Sequence, residues 1–150
     1  MNENKKILVI LGVLVLFVGL VVLALVFSEK KTVNEGEINE IGITEYSKLL
    51  ASSEKSVIIL GSSSCPYAQE ARKTAIEIIS EYGIEIHYFD LSKMAAGDNE
   101  KLMDSLEYLR EEQWGTPLML IVANGELVEA LGGFAGKEGY IAFLKEQGII

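Results

Sequence analysis

The sequence predicts an α/β fold, a central mixed sheet flanked by helices, preceded by one N-terminal transmembrane helix. Three observations carry this reading. Residues 7–27 contain no charged side chain. A β-branched run at 56–61 is followed by a helix-periodic stretch at 67–82 and a second strand-like run at 84–90, the order of a βαβ unit. Asn124-Gly125 stands between two apolar runs, a strong short-range signal for a hairpin.

A chain of 150 residues has room for one domain and an appendage. Residues 1–6 read as a short cytoplasmic tail carrying Lys5 and Lys6. The next ~21 residues, 7–27, rise about 1.5 Å each and so cover roughly the 30 Å of a bilayer core. A cleaved secretory signal is the competing reading. The run is longer than the ~7–15 apolar residues of a signal core, and Val26 and Phe27 spoil the small-residue site offered by Ala24 and Ser28. Lys30 and Lys31 follow the run, so the basic flanks nearly balance. The short tail and long C-terminal portion then set the expected orientation, with the domain on the extracytoplasmic side. Residues 28–42 are polar and read as a linker, leaving the domain at 43–150.

Thr44 is expected to cap a short helix over 45–52 that buries Tyr46, Leu49 and Leu50. The run Ser-Val-Ile-Ile-Leu-Gly at 56–61 reads as a central strand covered on both faces. Pro66 suits a first helical turn, and 67–82 places Ala71, Ala75, Ile78 and Ile79 on one side before Gly83 ends the helix. A parallel strand follows at 84–90. Asp98 or Asn99 is expected to start a helix reaching about Gln113, with Leu102, Leu106 and Leu109 sharing a face, until Gly115-Thr116-Pro117 breaks it. Strands at 118–123 and 126–131 flank the hairpin turn, and a last helix over about 137–147 buries Tyr140, Ile141 and Leu144.

The formal net charge of −9 leaves no electrostatic footprint for nucleic acid, and solubility is its plain explanation. One cysteine builds no intramolecular disulfide, and one cysteine with one histidine gives poor support for a metal, so neither metal nor cofactor is expected. His87 reads as a core or edge residue of its strand. Trp114 fits equally a packing role and a substrate surface, and Asp90 reads as a turn or capping residue.

The chemistry gathers at Gly61-Ser62-Ser63-Ser64-Cys65-Pro66-Tyr67-Ala68. Cys65 stands where a strand turns into a helix. Main-chain N–H groups of the first turn and the helix dipole favour the thiolate there, commonly moving a cysteine from about 8.5 into the range of roughly 3.5–7.5. An inert buried thiol is the bland alternative. The polar run before Cys65 and the proline after it place the residue at a loop end instead.

Cys65-Pro66-Tyr67, then Gly115-Thr116-Pro117, then Asn124-Gly125 occur in an order that resembles the thioredoxin-like family, over roughly Thr44 to the C-terminus. With the apolar segment included, the chain is similar to membrane-anchored bacterial thiol–disulfide oxidoreductases, some described as bacteriocin transport accessory proteins. The resemblance implies a thioredoxin fold with Cys65 as attacking thiol. It implies that Pro66, Tyr67, Thr116 and Pro117 meet the substrate, that Pro117 is cis near the sulfur, and that the Thr116 backbone pairs with a substrate segment. Implied partners are disulfides or thiols of exported proteins or peptides, and a redox protein or low-molecular-weight thiol.

Three positions depart from the family. Ser64 replaces a frequent tryptophan, Ile59 replaces a buried acid, and Ala68 stands where the second cysteine of C-x-x-C would resolve a mixed disulfide. Two explanations of Ala68 compete: an engineered replacement of the resolving cysteine, or a natural single-thiol relative released by an external thiol. Alanine is a usual replacement for cysteine and the rest of the motif is intact, which favours the first. The expected activity is thiol–disulfide exchange on exported proteins or peptides, halted at the mixed disulfide. The alternative is a non-catalytic binding or accessory module for a secreted peptide or transporter.

Overall fold

The computed structural model describes residues 13–15 and 36–150. The chain divides into two compact units, 1–32 and 33–150. Of the first, Val13, Leu14 and Val15 are described, helical and exposed. The expected tail at 1–6, the rest of the expected span at 7–27 and the linker as far as residue 35 lie outside the described residues. Among the described residues, no helix is long and apolar enough to cross a membrane.

In the second unit a five-stranded sheet has the order β1-β3-β2-β4-β5. Its strands are β1 (Asn39–Ile41), β2 (Ser56–Gly61), β3 (Ile86–Asp90), β4 (Leu118–Ala123) and β5 (Glu126–Gly132). The helices are α1 (Ile43–Ala51), α2 (Pro66–Tyr82), α3 (Asp98–Ser105), α4 (Glu107–Glu111) and α5 (Gly136–Glu146), with a 3-10 turn at Leu91–Lys93. Strands β1, β3 and β2 run parallel, and β4 runs antiparallel to both β2 and β5. The sheet is therefore mixed, as the sequence predicts.

Strand β2 is apolar throughout because both faces are covered. Val57 and Ile59 join Ala71, Ala75 and Ile78 of α2 and Tyr140 and Leu144 of α5 in one core. Ile58 and Leu60 face the other way, toward Tyr46 and Leu50 of α1, Leu102 of α3 and Leu109 of α4. Burying each such side chain contributes about 1.5–3 kcal/mol, so the strand that carries the site is also the best anchored. The register brings Gly61 level with Asp90 and Leu60 level with Leu118. The ends of β2 and β3 and the start of β4 thus meet at one edge of the sheet.

Several boundaries differ from expectation. The stretch read as linker up to Gly42 contributes β1, whose Asn39, Glu40 and Ile41 pair with His87, Tyr88 and Phe89. Three half-polar residues carry no periodic signal, so the partner strand makes this strand. Helix α1 starts at Ile43 after Gly42, not at a Thr44 cap, and Ser47 Oγ donates to the Ile43 carbonyl at 2.8 Å. The helix expected through Gln113 breaks at Leu106, which is extended at φ −139° and ψ 134°. The break keeps Leu106 buried, and Ser105 on its near side donates to the Leu102 carbonyl at 2.6 Å. The hairpin turn forms as expected, with φ 55° at Asn124 and 81° at Gly125. Its N–H groups donate to carbonyls at the end of α1: Asn124 to Ser52 at 2.6 Å and Gly125 to Leu50 at 2.7 Å.

Candidate active site

Strand β2 must end on glycine. A Cβ at Gly61 would fall on the Tyr88 hydroxyl of the neighbouring strand, and Tyr88 is itself buried. The chain then turns through Ser62, Ser63 and Ser64, with the Cys65 N–H donating to the Ser62 carbonyl at 3.0 Å. The Ser62 and Ser64 hydroxyls lie 2.8 Å apart.

Ser63 is gripped from three sides. Its N–H donates to Asp90 Oδ1 at 3.2 Å, its hydroxyl meets that of Ser92 at 2.6 Å, and its carbonyl accepts from Gln69 Nε2 at 2.8 Å. Asp90 Oδ1 also accepts from the Ser92 N–H at 3.0 Å and the Ser92 hydroxyl at 2.6 Å. Burial of this carboxylate works to raise its pKa. The hydrogen bonds from Ser92 and Ser63, with Lys93 nearby, outweigh that and hold it below the ordinary aspartate value. Asp90 is the capping residue expected, but it also fixes the loop that presents Cys65.

Cys65 is the N-cap of α2, extended at φ −98° and ψ 115°, and Pro66 fills the first turn. Its carbonyl accepts the first intrahelical bond, from the Gln69 N–H at 3.1 Å. The sulfur is half-buried and donates to the Thr116 carbonyl at 3.4 Å. The Thr116 side chain, then the N–H groups of Ala68 and Tyr67, hold the thiol below its ordinary range against a smaller opposing effect of desolvation. The Thr116 carbonyl serves only the protonated sulfur, since it has no proton to give. The sulfur therefore has an acceptor as a thiol and donors as a thiolate.

The sequence-predicted residues converge. Pro66 and Tyr67 are exposed beside the sulfur, with Tyr67 at 69%. Ala68 is fully buried. Thr116 is half-buried, Pro117 is buried, and the bond between them is cis. The Pro117 carbonyl accepts from the Gly133 N–H at 2.8 Å. Ile59, at the position of the family's buried acid, is wholly enclosed in the core. Trp114 packs against the core and donates from Nε1 to the Leu109 carbonyl at 2.9 Å. His87 is buried in β3 with Nε2 3.5 Å from Glu85 Oε1.

Sequence reasoning missed the flank beside β3. Glu40 of β1 accepts from Arg72 of α2 and from Lys93 after β3, both at 2.8 Å. The two ion pairs hold Glu40 below its ordinary value, Lys93 most strongly. The Arg72 guanidinium sits over the Tyr88 ring, 5.8 Å from its centroid. These residues lie 53 positions apart at the extremes, so only the β1–β3 pairing brings them together. Among the described residues, no group of three His, Cys, Asp or Glu side chains could hold a metal ion. Cavities of about 550 and 460 Å³ elsewhere on the domain touch none of the site residues.

No family model matches the chain, and no curated protein matches it in sequence. Solved structures do match in fold. The chain is similar to thioredoxin from Aeropyrum pernix at 18% identity and a TM-score of 0.59, over 77% of this chain and 90% of that one. It is similar to thioredoxin f2 of Chlamydomonas reinhardtii at 12% identity and a TM-score of 0.58, over 76% and 99%. A chain from a study of thiol resolution in yeast mitochondrial 1-Cys peroxiredoxin matches at 16% identity and 0.55, over 75% and 97%. The fold of the second unit is thioredoxin-like, a mixed sheet flanked by helices.

Proposed function

We propose that this chain is a membrane-tethered thiol–disulfide oxidoreductase acting on exported proteins or peptides through Cys65. One observation carries the reading: the half-buried sulfur of Cys65 caps α2 and faces Thr116, beside cis Pro117. A nucleophile with donors for its anion and a neighbouring main-chain edge for an extended substrate is what disulfide exchange requires. The Cys65 thiolate attacks one sulfur of a substrate disulfide. The new bond joins Cys65 to the substrate, and the second substrate sulfur leaves as a thiolate. The thioredoxin-like neighbours support this class of chemistry. The uncharged run at 7–27 supports a single-pass anchor, and the short tail before it supports an extracytoplasmic domain.

Ala68 favours a second reading, a binding or accessory module that docks a secreted peptide or transporter at Thr116-Pro117 without turnover. Incubation of the chain with an oxidised peptide separates the two. The exchange reading expects a covalent adduct at Cys65 that reductant releases. Ala68→Cys should then add an intramolecular disulfide between Cys65 and the introduced thiol and free the peptide, since positions three apart at a helix start fall within the roughly 4.4–6.8 Å Cα separation a disulfide needs. Failure to form any adduct would favour the binding module.

A further inference from the structure

The side of Cys65 away from Thr116 holds a small cavity of about 230 Å³, lined by Glu40, Ser63, Gln69, Arg72, Tyr88 and Lys93 among others. Ser63 and Gln69 flank Cys65 in sequence and are joined to each other by a hydrogen bond. Tyr88 lies within electrostatic reach of the site. Burial is the main cause that raises its phenol, and negative charge at Asp90 and Cys65 adds to it. The volume is below the roughly 300–1,000 Å³ of pockets for drug-sized ligands, so a guest is small.

The unspent hydrogen-bonding capacity of the lining is on the donor side. Asp90 Oδ1 is committed to Ser63 and Ser92, and Glu40 to Arg72 and Lys93. Arg72 spends one hydrogen bond on Glu40 out of five guanidinium donors, and Lys93 likewise one out of three. A carboxylate is the guest group that uses such donors best.

Direction matters as much as charge. A thiolate must approach a disulfide along the S–S axis, because the vacant antibonding orbital lies there. Strand β2 delivers Cys65 between β4, which leads from Thr116-Pro117, and β3, which leads to the cavity. A peptide disulfide-bonded to Cys65 on the β4 flank therefore leaves the opposite flank as the line of attack on the Cys65 sulfur.

We propose that the cavity bounded by Arg72, Lys93 and Gln69 is the entry site for a small carboxylate-bearing thiol that replaces the missing resolving cysteine. The inference rests on the exchange reading above. The incoming thiolate attacks Cys65 Sγ in the mixed disulfide, forms a new disulfide to Cys65, and expels the peptide sulfur as a thiolate. A second molecule of the small thiol attacks the outer sulfur, leaving as the oxidised disulfide and restoring the Cys65 thiolate. In sum, one peptide disulfide is reduced to two thiols and two small thiols are oxidised to one disulfide.

The test uses the full chain in detergent, loaded at Cys65 with a fluorescent peptide as the mixed disulfide. Peptide release is timed with 3-mercaptopropionate and with 2-mercaptoethanol, and the ratio of the two rates is compared between proteins. Arg72→Met and Lys93→Met should each lower that ratio about threefold, the size expected for one partly exposed ion pair. Arg72→Lys should keep it. An unchanged ratio in both methionine variants overturns the entry site while leaving the exchange reading intact. Equal slowing with both thiols also overturns it, because that outcome reports a disturbed loop and not carboxylate recognition. Failure to load the peptide at Cys65 would overturn both readings.

Discussion

On the β4 flank of Cys65 the contacts come from one short segment, with Thr116 meeting the sulfur and Pro117 hydrogen-bonded onward to Gly133. On the β3 flank they come from side chains of four separate segments, with Asp90, Ser92, Gln69 and Tyr88 holding the turn before the sulfur. The first flank touches the reactive atom and tunes it. The second touches the turn, and so acts on the sulfur only through position. Variants on the two flanks should accordingly separate stability from reactivity.

The largest effect is expected at Gly61. A methyl group there meets the Tyr88 hydroxyl, and Tyr88 is enclosed and cannot swing clear. Gly61→Ala should lower unfolding stability by about 1–3 kcal/mol, the usual cost of overpacking. Urea denaturation measures it, and a second substitution, Tyr88→Phe, should recover part of the loss by removing the atom that clashes.

Asp90→Asn comes next. It weakens charge-assisted bonds to Ser63 and Ser92 and should cost about 1–2 kcal/mol at neutral pH. The pH dependence has a definite sign. Asp90 is held below its ordinary pKa, so its ionised form stabilises the folded state above the unfolded value of about 3.9. That contribution is lost as pH falls through the lower folded-state value. The gap between parent and variant should therefore close in acid; a gap constant down to the acid transition would contradict this role.

The smallest expected effect on stability, and the clearest on chemistry, lies across the cleft. Thr116→Val keeps the shape and the main-chain carbonyl but removes the hydroxyl, the foremost cause of the lowered Cys65 pKa. Iodoacetamide alkylation followed against pH should show the midpoint move upward toward the ordinary value of about 8.5. Asp90→Asn should shift the same midpoint less, since its carboxylate has no hydrogen bond to the sulfur.

Much of this arrangement was legible from residue order. The β-branched 56–61 run, the Gly83 stop and the Asn124-Gly125 turn each follow from local physics, and the structure places them accordingly. Cys65 next to Pro66 likewise marked the helix start. What the residues alone did not disclose was assembled by distance. Strand β1 is three residues long and exists through β3, and the break at Leu106 answers to burial that no helical period reports. The Glu40 clamp joins residues that share no motif. Asp90 was readable as a cap, whereas its hold on Ser63 needed the β2–β3 register.

The turn at Asn124 and Gly125 has a further consequence. The last carbonyls of a helix ordinarily look to water or to the residues that follow. In α1 the Leu50 and Ser52 carbonyls are instead capped by a hairpin tip more than seventy positions later in the chain. Fraying of that helix end would strip two bonds from the hairpin, and opening of the hairpin would uncap the helix. The two ends are thus one cooperative unit, a clasp that ties the first helix of the domain to its last pair of strands.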